Sequence, residues 1–412
     1  MLVLGLGEAQ LSQAKQAARH GVLLYLGVPH ASKPSIPAAD IYVNYGDENG
    51  VVNIWVGDLY IDDLENGIAH PLPPYSQTHF AKKVEGLTAC SVGEMVSWAP
   101  LIDRINKCYE THSKCRPKTG DSLPPGFRVI DVNRRCLVET NDCRFVALSY
   151  VWGLTPKSKL LACSRATIDE MKKDGGLPPT KVPRTIEDAI AACIHIGERY
   201  LWADMLCIIQ DDPEDLQTQV NAMGEIYPSA TIVLVASYGN SMEFGIPGIG
   251  HPRNAVQQSA DIAGLRVTNV LREADEDPFN LWPTRGWTYQ EAVLSNRRLY
   301  FTSTRAFFEC EQSICHEDPF NLEEIRDELL STRLVISEDM SRFDSFKRHL
   351  RHYSTRKLTY RSDAYNALFG ILKSLYKGSE RIIHGLPEVD FDRALLWRGV
   401  TDMVMVFGDG SA

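Results

Sequence analysis

Solid apolar runs alternate with amphipathic stretches through the middle of this chain. Residues 145–150 form one such run, and 231–236 another that is apolar and β-branched throughout. Runs of this kind suit strands buried on both faces. Between them, residues 185–196 carry Ile186, Ala189, Ile190 and Cys193 on one helical face. Residues 200–204 predict a further strand. Asp211-Asp212-Pro213 predicts a helix start, with Asp211 as the cap, and a helix that runs on to Tyr227. Strand, helix, strand, helix, strand over 145–236 predicts a parallel sheet covered by helices.

The flanks are less regular. Residues 92–111 predict a helix, with Val96, Leu101, Ile105 and Tyr109 near helical spacing. Residues 128–132 and 136–139 predict a hairpin around Asn133-Arg134. Residues 239–253 hold four glycines and two prolines and read as loop. Residues 265–271 and 298–303 predict strands, 287–293 a short helix, and 321–375 a mainly helical region. Leu329, Leu334, Phe343, Phe346, Leu350 and Tyr353 are its core candidates. The first 85 residues read as an α/β-like segment, with strands at 2–5, 22–28, 41–45 and 51–60 and a helix at 8–20. Gly5-Leu6-Gly7 stands where a dinucleotide loop would sit. Gln10 replaces the third glycine of that fingerprint, so a plain strand–helix turn is the favoured reading. The expected division is 1–85, 86–310 and 311–412.

Composition narrows the function classes. The 412 residues are 44% hydrophobic and 23% charged, as in an ordinary globular protein. The formal net charge of −10 argues against a general nucleic-acid binder, which needs clustered Lys and Arg for phosphates. No apolar run is long enough for a membrane span. Residues 1–7 are apolar but lack a basic n-region, so no secretory signal is read. The ten cysteines are then expected as reduced thiols, in a cytoplasmic protein.

Four constellations could carry chemistry. Cys108-x3-His112-x2-Cys115, with Cys90 upstream, resembles part of a zinc site. A fourth ligand is missing nearby, and Cys310 or Cys315-His316 could supply one only by folding back. Buried thiols beside a surface histidine are the favoured reading, and no metal ligand is assigned. Ser149-Tyr150-Val151-Trp152-Gly153 leaves the carboxyl end of a buried strand, where open α/β sheets bind ligands. Trp152 could wall a pocket and Gly153 permit a close turn; the alternative is a structural turn with a packing tryptophan. The run 201–212 delivers Asp204, Cys207 and Gln210 to a second strand end. Asp204 is unusual within an apolar run, since buried carboxylates need partners. Cys207 has no histidine beside it and is not read as a nucleophile. Last, Arg285-Gly286-Trp287-Thr288-Tyr289-Gln290-Glu291 puts Trp287 and Glu291 at i and i+4. A carboxylate beside an aromatic wall suits acid/base work, whereas a helix start with a surface Arg285–Glu291 ion pair is the plainer alternative.

These segments together resemble the fungal heterokaryon-incompatibility (HET) domain. The resemblance rests on FVALSYVWG at 145–153, PRTIEDA at 183–189, LWADMLCIIQDD at 201–212, MGEIYPSA at 223–230 and RGWTYQE at 285–291, in that order, and covers roughly 127–310. Residues 353–370 and 385–397 look like the region that commonly follows this domain. Ala203 departs from the Ile or Val expected there, and Ile209 from the usual Asn. The family is associated with non-self recognition and programmed cell death in filamentous fungi, and has been likened to TIR domains. That likeness implies an α/β, flavodoxin-like parallel sheet core with insertions, followed by a mainly helical C-terminal region. It also implies that Glu291 matches the catalytic Glu of NAD-cleaving TIR enzymes, although 239–283 is longer than a TIR domain has there.

Three readings follow from the resemblance. In the first, the domain cleaves NAD as a substrate, with no further cofactor. Glu291 and Asp204 would be catalytic, and Ser149, Tyr150, Trp152, Gly153, Cys207, Gln210, Arg285 and Trp287 would bind the substrate. In the second, the domain is a non-catalytic signalling module that self-associates. In the third, a HET-fold enzyme acts on a small molecule of secondary metabolism, with Asp204, Glu291 and Tyr150 as acid/base candidates.

Overall fold

The computed structural model describes residues 92–117, 123–153, 161–253, 279–317, 341–376 and 381–395 in full. It also describes strand backbone within 23–81 and 259–268. Two units result, one of 94–254 with 273–412, the other of 1–93 with 255–272. The second unit contains a six-stranded antiparallel sheet in the order 23–25, 40–46, 51–56, 77–81, 265–268, 259–262. Two strands of the segment inserted after residue 254 thus complete a sheet begun near the amino end. The helix expected at 8–20 and the Gly5-Leu6-Gly7 turn lie outside the described residues.

The larger unit is mixed α/β around an eight-stranded sheet. Its strands are β1 (Arg128–Asp131), β2 (Cys136–Glu139), β3 (Val146–Ser149), β4 (Tyr200–Trp202), β5 (Ile232–Ala236), β6 (Arg297–Phe301), β7 (Ala306–Cys310) and β8 (Ile314–His316). The order across the sheet is β8-β7-β6-β5-β3-β4-β1-β2. The four middle strands β6, β5, β3 and β4 are parallel. Antiparallel hairpins flank them on both sides. Every side chain of β3, β5 and β6 is buried. This is why these segments lack the polar alternation of a half-exposed strand.

The helices are α1 (Trp98–Thr111), α2 (Ile168–Met171), α3 (Arg184–His195), α4 (Asp204–Cys207), α5 (Pro213–Asn221), α6 (Met223–Ser229), α7 (Gly286–Leu294), α8 (Arg342–Ser354), α9 (Asp363–Leu375) and α10 (Phe391–Leu395). In α3, Ile186, Ala189, Ile190 and Cys193 face the core, the face that their spacing predicts. The helix expected from 211 to 227 is two helices, α5 and α6. Its cap is Asp212, not Asp211: the Asp212 carboxylate accepts from the backbone N–H of Glu214 and Asp215, and Pro213 takes the first helical position. Asp211 instead accepts from the Arg165 backbone N–H at 2.8 Å. The chain expected to remain in strand through Asp204 turns at Ala203 into α4.

A second core joins α7 to the C-terminal helices through Tyr289, Leu294, Phe343, Phe346, Tyr353, Leu368 and Leu372. Residues 318–340, part of the region expected to be helical, lie outside the described residues. Two glycines let α6 and α9 cross backbone to backbone, since a Cβ on Gly224 would stand 2.8 Å from Gly370 Cα. The Gly370 N–H donates to Gln290 Oε1 at 2.7 Å and so fixes α7 against α9. Ala normally stabilises a helix interior over Gly. Here Gly224→Ala is expected to do the reverse, costing about 1–3 kcal/mol through overpacking. Urea unfolding checks this, and a gain in stability would contradict the close crossing.

Candidate functional site

Because β3, β4, β5 and β6 run parallel, their carboxyl ends lie along one edge of the sheet. The chain leaves β3 toward β4 on one side, and β5 lies on the other side of β3. Such a reversal of direction opens a crevice outside the strand ends. Ser149, the last residue of β3, stands at that point.

Ser149 is the centre of a buried hydrogen-bond chain. Its hydroxyl donates to Glu291 Oε2, and the Trp282 indole N–H donates to the same hydroxyl at 2.8 Å. Ser149 is 1% exposed, Trp282 2% and Glu291 6%. Glu291 comes from α7, and Trp282 from the 3-10 turn Trp282–Thr284 just before it. Burial pushes the Glu291 carboxyl up to about 8, against the pull of Ser149, and the charge of Asp204 raises it further; hydrogen bonding to Tyr227 and the charge of Arg285 oppose the rise. The Tyr227 hydroxyl donates to the Leu148 carbonyl at 3.1 Å, and its ring packs edge-on against Trp202.

Asp204 is the second carboxyl of the cluster. The Trp152 indole N–H spans its two oxygens at 3.2 and 3.0 Å, and the Met205 N–H donates to Oδ1 at 2.8 Å. Desolvation pushes the Asp204 carboxyl up to about 6, against the pull of the nearby Tyr150 hydroxyl and of the Met205 and Trp152 N–H donors. Tyr150, Trp152, Asp204, Ser149 and Glu291 are thus brought together as the sequence suggests. Gly153 has φ +73, and a Cβ there would stand 2.5 Å from the Asn240 carbonyl oxygen. It is the close turn its position implies. Among the described residues, neither Asp204 nor Glu291 forms an ion pair.

Other expected site residues face elsewhere. The Trp287 indole N–H donates to Asp363 on α9 at 3.2 Å, and its ring packs against both the sheet core and the core of the C-terminal helices. Arg285 makes no surface ion pair with Glu291; its guanidinium donates to Thr359 Oγ1 at 3.1 Å. Cys207 is fully buried, with its Sγ against the Ala203 N–H and the Leu201 carbonyl, and burial raises its thiol far above the ordinary value. The Gln210 amide braces the Asp204 and Ile208 carbonyls, each at 3.1 Å.

Two functional candidates went unread in the sequence. Trp282 precedes the RGWTYQE block, and a Trp-Pro pair just before a helix was the available signal. Tyr227 lies within MGEIYPSA, yet only the fold shows that its hydroxyl reaches the end of β3.

Residues 145–291 match the family model described as Heterokaryon incompatibility protein (HET). A 101-residue stretch is 30% identical to Heterokaryon incompatibility protein 6, OR allele, of Neurospora crassa, covering 22% of this chain and 14% of that protein. No solved structure matches the chain. No helix among the described residues is long and apolar enough to cross a membrane.

The raised Glu291 carboxyl has a consequence for stability. Its ordinary value is 4.5 and its folded value about 8, so folding takes up a proton between them. The stability of the neutral acid is full below pH 4.5 and is lost as pH rises toward 8. Glu291→Gln is expected to flatten the fall of Tm across this window. Asp204 titrates in both proteins, so the difference reports Glu291 together with its coupling to Asp204. Parallel Tm profiles for wild type and variant would contradict the assignment.

Proposed function

Since the chain carries a HET domain across residues 145–291, we propose that it acts in fungal heterokaryon incompatibility by cleaving NAD at the carboxyl edge of its sheet. The observation that carries this reading is the Ser149–Glu291 contact beside Asp204: two carboxyl groups with raised values and, among the described residues, no ion pair. The parallel strands in chain order run second, first, third, fourth across the sheet, which supports a flavodoxin-like, TIR-like core.

The chemistry suits a cationic leaving group. The nicotinamide ring of NAD is positively charged, and a nearby positive charge favours the ionised form of a carboxyl. Binding would therefore pull Glu291 and Asp204 toward their carboxylates. An ionised Glu291 would stabilise positive charge developing at the anomeric carbon as the N-glycosidic bond breaks. The bond's electron pair leaves with nicotinamide, and water adds to the ribosyl carbon to give ADP-ribose and a proton. Trp152, partly exposed at the rim, would stack on a ring of the substrate. NADH, whose ring is neutral, would not be cleaved.

One observation favours a second reading. Glu291 is 6% exposed and hydrogen-bonded within the fold, as a polar core group of a signalling module that self-associates would be.

Incubation of the purified chain with NAD, followed by chromatography of nicotinamide, separates the two. With NAD far below saturation, the first reading predicts release that rises with pH toward a plateau above about 8, and its loss in Glu291→Gln by at least about 100-fold. Absence of release at high protein concentration, with the fold intact, overturns it in favour of the second.

A further inference from the structure

The chain folds back to bring Cys108, His112, Cys115 and Cys310 together. One ligand atom from each lies within 4.8 Å of all the others. Cys108 ends the buried face of α1, Leu101–Ile105–Cys108. His112 caps the same helix, and Cys115 closes the 3-10 turn Ser113–Cys115. Cys310 is the last residue of β7, on the sheet against which α1 packs. Cys108, Cys115 and Cys310 are at most 1% exposed.

We propose that these four residues bind a structural zinc ion. In a tetrahedral site with Zn–S near 2.3 Å and Zn–N near 2.0 Å, adjacent ligand atoms stand about 3.5–3.8 Å apart. The Cys310 Sγ to His112 Nδ1 distance is 3.4 Å, which places Nδ1 as the ligating nitrogen. All three sulfurs are free thiols here, whereas a disulfide would use two of them and leave the third beside the imidazole. Four protein ligands fill the coordination sphere, as in structural rather than catalytic zinc sites.

A second, independent observation is the charge beside the cluster. Arg297 stands opposite Cys310 in the β6–β7 register and is 2% exposed. Its guanidinium donates to Cys108 Sγ at 3.1 Å and to the Thr231 carbonyl at 3.4 Å, and lies 4.5 Å over the Tyr109 ring. Among the described residues no carboxylate pairs with it. A buried cation needs a counter-charge. Three thiolates, a neutral imidazole and a divalent zinc sum to −1, which matches Arg297. The Arg297 N–H to sulfur bond and the contact of Ser313 Oγ with Cys310 Sγ at 3.3 Å are the outer contacts expected of zinc-bound thiolates. The ion would pin the end of α1 to the far end of β7 and so close the sheet edge covered by that helix.

The test uses the full chain purified without chelator. Elemental analysis is expected to give about one zinc per chain, kept in Cys143→Ser and lost in Cys310→Ser. Independently of whether a ligand variant folds, the wild-type chain exchanged into cobalt(II) supplies a second measurement. Tetrahedral thiolate coordination predicts intense visible ligand-field bands and a near-ultraviolet sulfur-to-cobalt band. His112→Cys is expected to retain the metal and strengthen that charge-transfer band. A wild-type chain with no stoichiometric zinc and no tetrahedral cobalt spectrum overturns the site, as does a disulfide among Cys108, Cys115 and Cys310 in peptides mapped without reductant.

Discussion

A carboxyl group inside an apolar core must find donors or keep its proton, and Glu291 does both. The interior strands β3, β5 and β6 are buried along their whole lengths, so polar side chains can meet them only where they end. Ser149 is the donor at the end of β3, with its own oxygen satisfied by Trp282. That demand sets where α7 lies on the sheet. The opposite side of α7 then has to be covered, and Gln290, Tyr289 and Trp287 hand it to α8 and α9. The glycine crossing of α6 and α9 closes the stack. The C-terminal helices thus support the site from behind, while Trp152 and Asp204 remain partly exposed in front.

Neighbouring residues on β6 show how the same problem is solved twice. Arg297 and Arg298 point to opposite faces of the sheet, as successive strand residues must. Arg298 meets Glu309 across the β6–β7 register at 3.0 Å. Arg297 meets the sulfur cluster around Cys108 and Cys310 instead. One buried cation is balanced by a carboxylate, and the other, under the zinc proposal, by metal-bound thiolates. A third pair, Arg253 with Glu317 at 2.6 Å, gathers the Ser97 and Ala306 backbone N–H groups on the same carboxylate.

Much of the parallel core was legible in the sequence, because burial on both faces imposes solid apolar runs that alternation cannot mimic. The hairpin at Asn133-Arg134, α3 and the strand end at Ser149 follow from the pattern of apolar positions, whereas the strand read through Asp204 stops at Trp202. Local chemistry was read less well. Two aspartates before a proline compete for one cap, and only backbone geometry selects Asp212. In the site, Ser149, Asp204 and Glu291 were legible because polar groups break apolar runs. Trp282 went unread because it stands in the turn ahead of α7, outside the helical spacing. Cys310 could not be placed beside Cys108 from spacing, since the contact depends on β7 returning along β6.

The central claim is that the fold holds Glu291 protonated at neutral pH, next to a second carboxyl, at the end of β3. Carboxyl-carbon NMR of the chain labelled in glutamate measures this directly. The account predicts one glutamate resonance that titrates near pH 8 and is missing from Glu291→Gln. Titration of every glutamate resonance near the ordinary value of 4.5 would contradict it.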